Sequence, residues 1–88
     1  MEITSKVRRN FRVASSAIGR DLCLVLHNKA FALKNVEARI WSLCDGRPVY
    51  EIIQAITDEF DVSSDVAEAD IMAFLESLES ESLVSVKD

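Results

Sequence analysis

The sequence predicts an α+β domain of about three antiparallel strands followed by a three-helix bundle. Short apolar runs separated by turn signals fill the region from about residue 8 to residue 34. From residue 36 to residue 80 apolar residues instead recur at helical spacing, in three stretches. At 88 residues the chain has room for one core and none for a core plus a deep catalytic cleft. Strands first and helices after them make an α+β order, and residues 1–88 read as a single domain. A hydrophobic content of 49%, with only Gly19, Gly46 and Pro48 as strong breakers, excludes a disordered or linker-rich chain.

In the strand region, "FRVASSAI" (residues 11–18) alternates for part of its length and reads as a modest strand, closed by Gly19-Arg20-Asp21. "LCLVL" (22–26) is a continuous apolar run, too short for a helix and suited to a buried strand. His27-Asn28-Lys29 breaks it, and Ala30-Phe31-Ala32-Leu33 resumes the pattern, completing a hairpin.

The first helix spans about 36–44. Asn35 is its expected N-cap, and Val36, Ile40, Leu43 and Cys44 recur on one face beside Trp41, which is assigned to the core. Asp45-Gly46 should end it, with Gly46 as a left-handed cap. Pro48 fits the first position of a second helix over about 48–60, where Val49, Ile52, Ile53, Ile56 and Phe60 form the cleanest amphipathic stripe of the chain. After Asp61-Val62-Ser63-Ser64 a third helix is expected over about 65–80. Ala67, Ile71, Leu75 and Leu78 make its core stripe, while Met72, Ala73 and Phe74 spill beyond it, either closing the core's edges or serving a partner. The tail "LVSV" is suited to packing extended against the sheet. The whole order is winged-helix-like.

Little here can do chemistry. His27 is the only histidine and falls in an expected turn, so no nucleophile has a base nearby and no enzyme is expected. Gly19 and Gly46 are isolated, which excludes a phosphate loop. Asp58, Glu59 and Asp61 read as solvated surface at a helix end. Cys23 and Cys44 lack CxxC spacing and read as free thiols, the alternatives being a disulfide or a metal site that would have to recruit His27. Neither metal nor cofactor is expected. With no apolar run near the ~20 residues of a membrane span and no apolar block at the start, the reading is cytoplasmic, without membrane contact.

The net charge of −5 conceals two unlike halves: residues 1–44 hold eight Lys and Arg against three acids, and residues 45–88 hold two against twelve. That gives either a solvated acidic helical face or a bipolar surface that orients a charged peptide. It disfavours DNA, because the second and third helices carry almost no cations to neutralise phosphates.

Residues 33–84 resemble the PqqD-like family, the peptide chaperones also called RiPP recognition elements. The resemblance lies in Leu33 before Ala38-Arg39-Ile40-Trp41, the Asp45-Gly46 hinge, and Ile52-Ile53 leading to Glu59-Phe60-Asp61-Val62. It continues through Ala69-Asp70-Ile71, Phe74-Leu75 and Leu78. The chain departs from the family's pattern at Lys34 and Glu37, and at Ser82, where a glycine is usual. The resemblance implies non-catalytic binding of the leader of a ribosomally made precursor peptide, presented to a separate maturation enzyme such as a leader protease. A lasso peptide pathway is favoured, and a quinone-cofactor or radical-modification pathway is the alternative, with a winged-helix DNA-binding or regulatory module as a further rival. The family's leader adds as a strand to a sheet edge beside the third helix. Here that edge is Asn28 to Lys34, with Lys29, Phe31 and Leu33 on one face and Ala30 and Ala32 on the other, the small alanines leaving room for leader side chains. On the helix, Ala73 and Phe74 are expected to line the leader's pocket, with Asp70 and Ser77 as polar contacts at its rim.

Overall fold

Two antiparallel sheets and three helices make up the domain, seen in a computed structural model that describes residues 1–88. In chain order these are β1 (Lys6–Arg9), β2 (Ala14–Ile18), β3 (Asp21–Leu26), β4 (Lys29–Leu33), α1 (Asn35–Ser42), β5 (Asp45–Pro48), α2 (Val49–Phe60), α3 (Ser64–Ser80) and β6 (Val84–Lys87). One sheet has the order β2-β3-β4, the three expected strands; the other, β5-β1-β6, joins segments from both ends and the middle of the chain. The class is α+β as predicted, and the winged-helix likeness is approximate.

The meander is held in register by two two-residue turns. His27 and Asn28 both have positive φ (51° and 65°), the requirement of a type I′ turn, whose twist matches that of the strands it joins. Gly19 (φ 62°) does the same service between Ile18 and Asp21, which face each other across β2 and β3. Leu22, Leu24 and Leu26 then point inward, while Val25 faces solvent.

The second sheet was only partly legible. Asp45–Pro48, expected as a hinge, is a strand pairing with β1. Gly46 is therefore no helix cap: α1 ends at Ser42, and Gly46 has φ 100° where the Arg8 side chain crosses it, so close that a Cβ would lie 2.5 Å from Arg8 Nη2. The tail does pack extended, as β6 against β1. Pro48 precedes α2 by one position instead of opening it. The first orphan donors of α2 go to the N-terminal segment: Val49 N–H to the Ser5 carbonyl and Tyr50 N–H to that of Ile3, both at 2.9 Å.

Asn35 is not the N-cap of α1 but its first residue. Its N–H is accepted at 2.9 Å by Asp21 Oδ1, and Glu37 reaches back to the Lys34 N–H at 3.1 Å. The Asn35 N–H, with Lys34 assisting, holds the Asp21 carboxyl below its ordinary pKa. A carboxylate from the start of β3 thus caps α1 and ties the helix to the meander.

α3 ends in a Schellman motif: Leu83 N–H bonds the Leu78 carbonyl and Ser82 N–H that of Glu79, both at 2.9 Å. Ser82 occupies the left-handed position (φ 62°) that usually belongs to glycine. Both Leu78 and Leu83 are buried and complete the cap's apolar contact. The expected α3 core stripe of Ala67, Ile71, Leu75 and Leu78 is the buried set, joined by Ile52, Leu24, Val7 and Trp41 in one core. Trp41 is 7% exposed, and its indole N–H has no hydrogen-bond partner.

Candidate functional site

Because β4 ends the β2-β3-β4 sheet, one side of it is unpaired. The type I′ turn makes Leu26 and Lys29 a hydrogen-bonded pair, and alternation along an antiparallel ladder extends that bonding to Phe31 and Leu33. By the same geometry the N–H and C=O groups of Ala30 and Ala32 face outward from the sheet. A chain laid along this edge finds two donors and two acceptors already held in extended geometry.

Of the residues expected to form the edge, Lys29, Ala30, Phe31, Ala32 and Leu33 are in the strand. Asn28 belongs to the turn, and Lys34 sits at the entry to α1. The predicted alternation holds, but its consequence is reversed. Phe31 is half-buried and Leu33 buried on the core side, whereas Ala30 and Ala32 face solvent opposite Val25 and Cys23. Room for an incoming side chain beside the core therefore lies on the Phe31 face and not over the alanines.

Along α3 and its C-cap, Asp70, Phe74, Ser77 and Glu81 follow one another at i, i+4, i+7 and i+11, with Ala73 beside them. Asp70, Ala73 and Ser77 are exposed and Phe74 is half-buried. Ser77 Oγ donates to the Phe74 carbonyl at 2.8 Å, so its hydroxyl proton is already engaged. At the far end Lys29 Nζ meets Glu81 Oε2 at 2.8 Å and lies 5.3 Å from the centre of the Phe31 ring, bridging β4 to the end of α3. Eleven residues of helix rise about 16 Å, and five residues of strand about the same. Edge and helix stripe are matched in length.

At the other end of the stripe lies an apolar pocket of about 250 Å³, framed by Val36 and Ile40 of α1, Phe60 and Val62, and Val66 and Phe74 of α3. Two carboxylates, Glu37 and Asp70, also line it. Asp70 and Phe74 were expected at the site; Val36, Phe60, Val62 and Val66 were not. Val36 and Phe60 had been assigned to core stripes and Val62 to a break. The available signal was Val66, Asp70 and Phe74 at four-residue spacing, with Val62 and Val66 both exposed apolar residues. Ala73 and Ser77 do not line the pocket; they lie along the stripe between it and the Lys29–Glu81 bridge.

No group of three or more His, Cys, Asp or Glu is placed to hold a metal ion. Cys44 is buried among apolar groups, which pushes its thiol up to about 12, and Cys23 is a second free thiol at the meander's outer face. No helix is long and apolar enough to cross a membrane. The site offers backbone hydrogen bonds along an edge, an aromatic floor and an apolar pocket: the means to hold an extended peptide.

Comparison with known proteins points the same way. TbiB1, solved in complex with the TbiA(beta) leader peptide, matches with a TM-score of 0.81 and 31% sequence identity, over 89% of this chain and 94% of that one. No curated protein sequence matches the chain. Residues 23–84, from the middle of β3 to the start of β6, fit the family model for coenzyme PQQ synthesis protein D, and the chain belongs to this PqqD family.

Proposed function

We propose that the protein binds the leader segment of a ribosomally synthesised precursor peptide as an added strand on β4 and delivers it to a separate maturation enzyme. The observation that carries this is the free edge of β4, tied at Lys29 to Glu81 at the end of α3 by an ion pair. Outward N–H and C=O groups at Ala30 and Ala32 supply affinity that any sequence can use. Phe31, Phe74 and the pocket supply the choice of sequence. Asp70 and Ser77 contribute polar contacts along the helix, and Ala73 gives clearance for the backbone. The TbiB1 complex supports a leader as the occupant, and the family match supports a recognition role.

A lasso peptide pathway, with a leader protease and a cyclase downstream, is the reading we favour for the maturation step. The family description, coenzyme PQQ synthesis, favours a quinone-cofactor pathway as the second reading. Precursor leaders of the two classes, titrated side by side, distinguish them.

The test is a titration of nitrogen-15-labelled protein with a leader peptide, followed through backbone amide shifts. Saturable shifts confined to residues 28–34, residues 65–78 and the pocket residues Val36 and Val62 are expected. Absence of shifts with about 100 μM peptide, well above a micromolar Kd, would overturn leader binding for that precursor.

A further inference from the structure

The outward face of the β5-β1-β6 sheet carries a basic surface that leader binding does not use. Along β1, Val7 is buried while Lys6 and Arg8 are exposed; along β6, Val84 is buried while Ser85 and Lys87 are exposed. The register sets Lys6 directly opposite Lys87 and Arg8 opposite Ser85. Like charges placed across a ladder weaken the pairing of Lys6 with Lys87, while Arg8 faces Asp45 across the β1–β5 ladder.

The cations there also lack partners. Of the ten Lys and Arg, only Lys29, Lys34, Arg39 and Arg47 have a carboxylate within ion-pair distance. Of the six others, Lys6, Arg8 and Lys87 lie on this face and Arg12 on the turn that follows β1, whereas Arg9 is on Val7's side of the strand and donates to the Trp41 and Ser42 carbonyls. Of the acids bordering it, Asp45 is paired with Arg47 and Asp88 accepts from the Ser5 hydroxyl, while Glu79 lines one edge beside Arg8 and Arg9. Phe11, in that turn, is 90% exposed, the most exposed large apolar side chain of the chain, and the Arg12 guanidinium lies 5.7 Å from its ring. Two shallow depressions, one reaching Trp41 and the other Glu79, share Arg8, Arg9 and Phe11 as lining. An exposed aromatic among arginines has the composition of an interface anchor.

We infer that this face docks an acidic, partly apolar surface of a second protein, with Lys6, Arg8 and Lys87 as charge contacts and Phe11 as the apolar anchor. Charge complementarity selects the occupant. A nucleic acid is disfavoured because its continuous line of phosphates would extend past these few cations onto the acids of the C-terminal half, which a compact acidic patch need not reach. A single exposed aromatic also gives successive bases no platform to stack on. No residue of β4, and neither Asp70 nor Phe74, lines the depressions on this face. A peptide on β4 and a protein on this sheet can be held together, and the inference does not depend on the identity of the peptide.

The test titrates the labelled full chain with a short synthetic peptide of Glu and Asp around a central Leu-Leu, and separately with oligo(dT), at low and high salt. The acidic peptide should shift amides of residues 6–12 and 84–88, with affinity falling as salt rises. Joint replacement Lys6→Glu, Arg8→Glu and Lys87→Glu should weaken it at least about tenfold, and Phe11→Ala should weaken it as well. The control Arg20→Glu should leave it within about twofold. If the reversed variant does not fold, the same three positions changed to Gln provide the loss to be read. Absence of shifts on this face, equal weakening by Arg20→Glu, or tighter binding of oligo(dT) than of the peptide would each overturn the inference.

Discussion

Replacing Ala32 with proline separates strand addition from every other way a peptide might lie on this domain. The Ala32 N–H points away from β3, so its loss leaves the β3–β4 ladder intact, and proline is tolerated where an edge strand's N–H faces solvent. Phe31, the residue before it, is already extended, as a proline requires. Stability should fall by less than about 1 kcal/mol, because the side chain is exposed and no core contact changes. Binding is another matter. One backbone hydrogen bond to the leader, worth about 0.5–1.5 kcal/mol, disappears, and a leader carbonyl enters the cleft without a partner at a further cost of about 1–3 kcal/mol. Together these come to about 1.5–4.5 kcal/mol, and at about 1.4 kcal/mol per tenfold affinity should drop by about tenfold to a thousandfold. Titration calorimetry with the leader reads the affinity, and thermal unfolding confirms the fold. Ser15→Pro is the control, since the same alternation turns the Ser15 N–H to the free edge of β2, far from α3 in the sheet order. A folded Ala32→Pro protein that binds within twofold of the original, or an equal loss in Ser15→Pro, would refute strand addition on β4.

Phe74→Ala removes a half-buried ring from the pocket and should weaken leader binding about tenfold or more, read by the same calorimetry; unchanged affinity in a folded variant removes Phe74 from the site. Trp41→Ala should cost about 3–5 kcal/mol of stability in a denaturant titration, while the folded fraction binds leader normally. Ser82→Gly should raise stability by up to about 1 kcal/mol, since glycine occupies the left-handed position of the α3 cap without the steric penalty serine bears there; a lower melting temperature would contradict the Schellman assignment. Burial raises the Cys44 thiol from 9.0 to about 12, so the folded state holds its proton where the unfolded state has lost it. Stability from this group is whole below about pH 9 and declines as pH climbs toward 12. Denaturant titrations across that range should show the decline in the original protein and a flatter profile in Cys44→Ala.

Periodicity announced the helices and the meander because both are local. The stripe Val49, Ile52, Ile53 and Ile56 and the set Ala67, Ile71, Leu75 and Leu78 are buried as their spacing demanded, and the run 22–26 is the central strand. That residues 29–33 form an edge strand was legible too, through the family resemblance more than through their own pattern. The β5-β1-β6 sheet was not. Each of its strands is four residues long, too short to show a period, and Asp45-Gly46-Arg47-Pro48 is written in residues that otherwise signal a turn.

What the sequence determined by itself was the order of the meander strands and the three helices and the inward face of each helix, since spacing and residue type fix these locally. Tertiary structure alone decided the rest: that Asp21 caps α1, that Val36, Phe60, Val62 and Val66 converge on one pocket, and that Lys6 faces Lys87. Each of these relations joins residues far apart in sequence, by 14 positions for Asp21 and Asn35 and 81 for Lys6 and Lys87, with Val36 at least 24 from the rest of its pocket set. A free strand edge is likewise defined by what does not lie beside it, and no local pattern of residues encodes that.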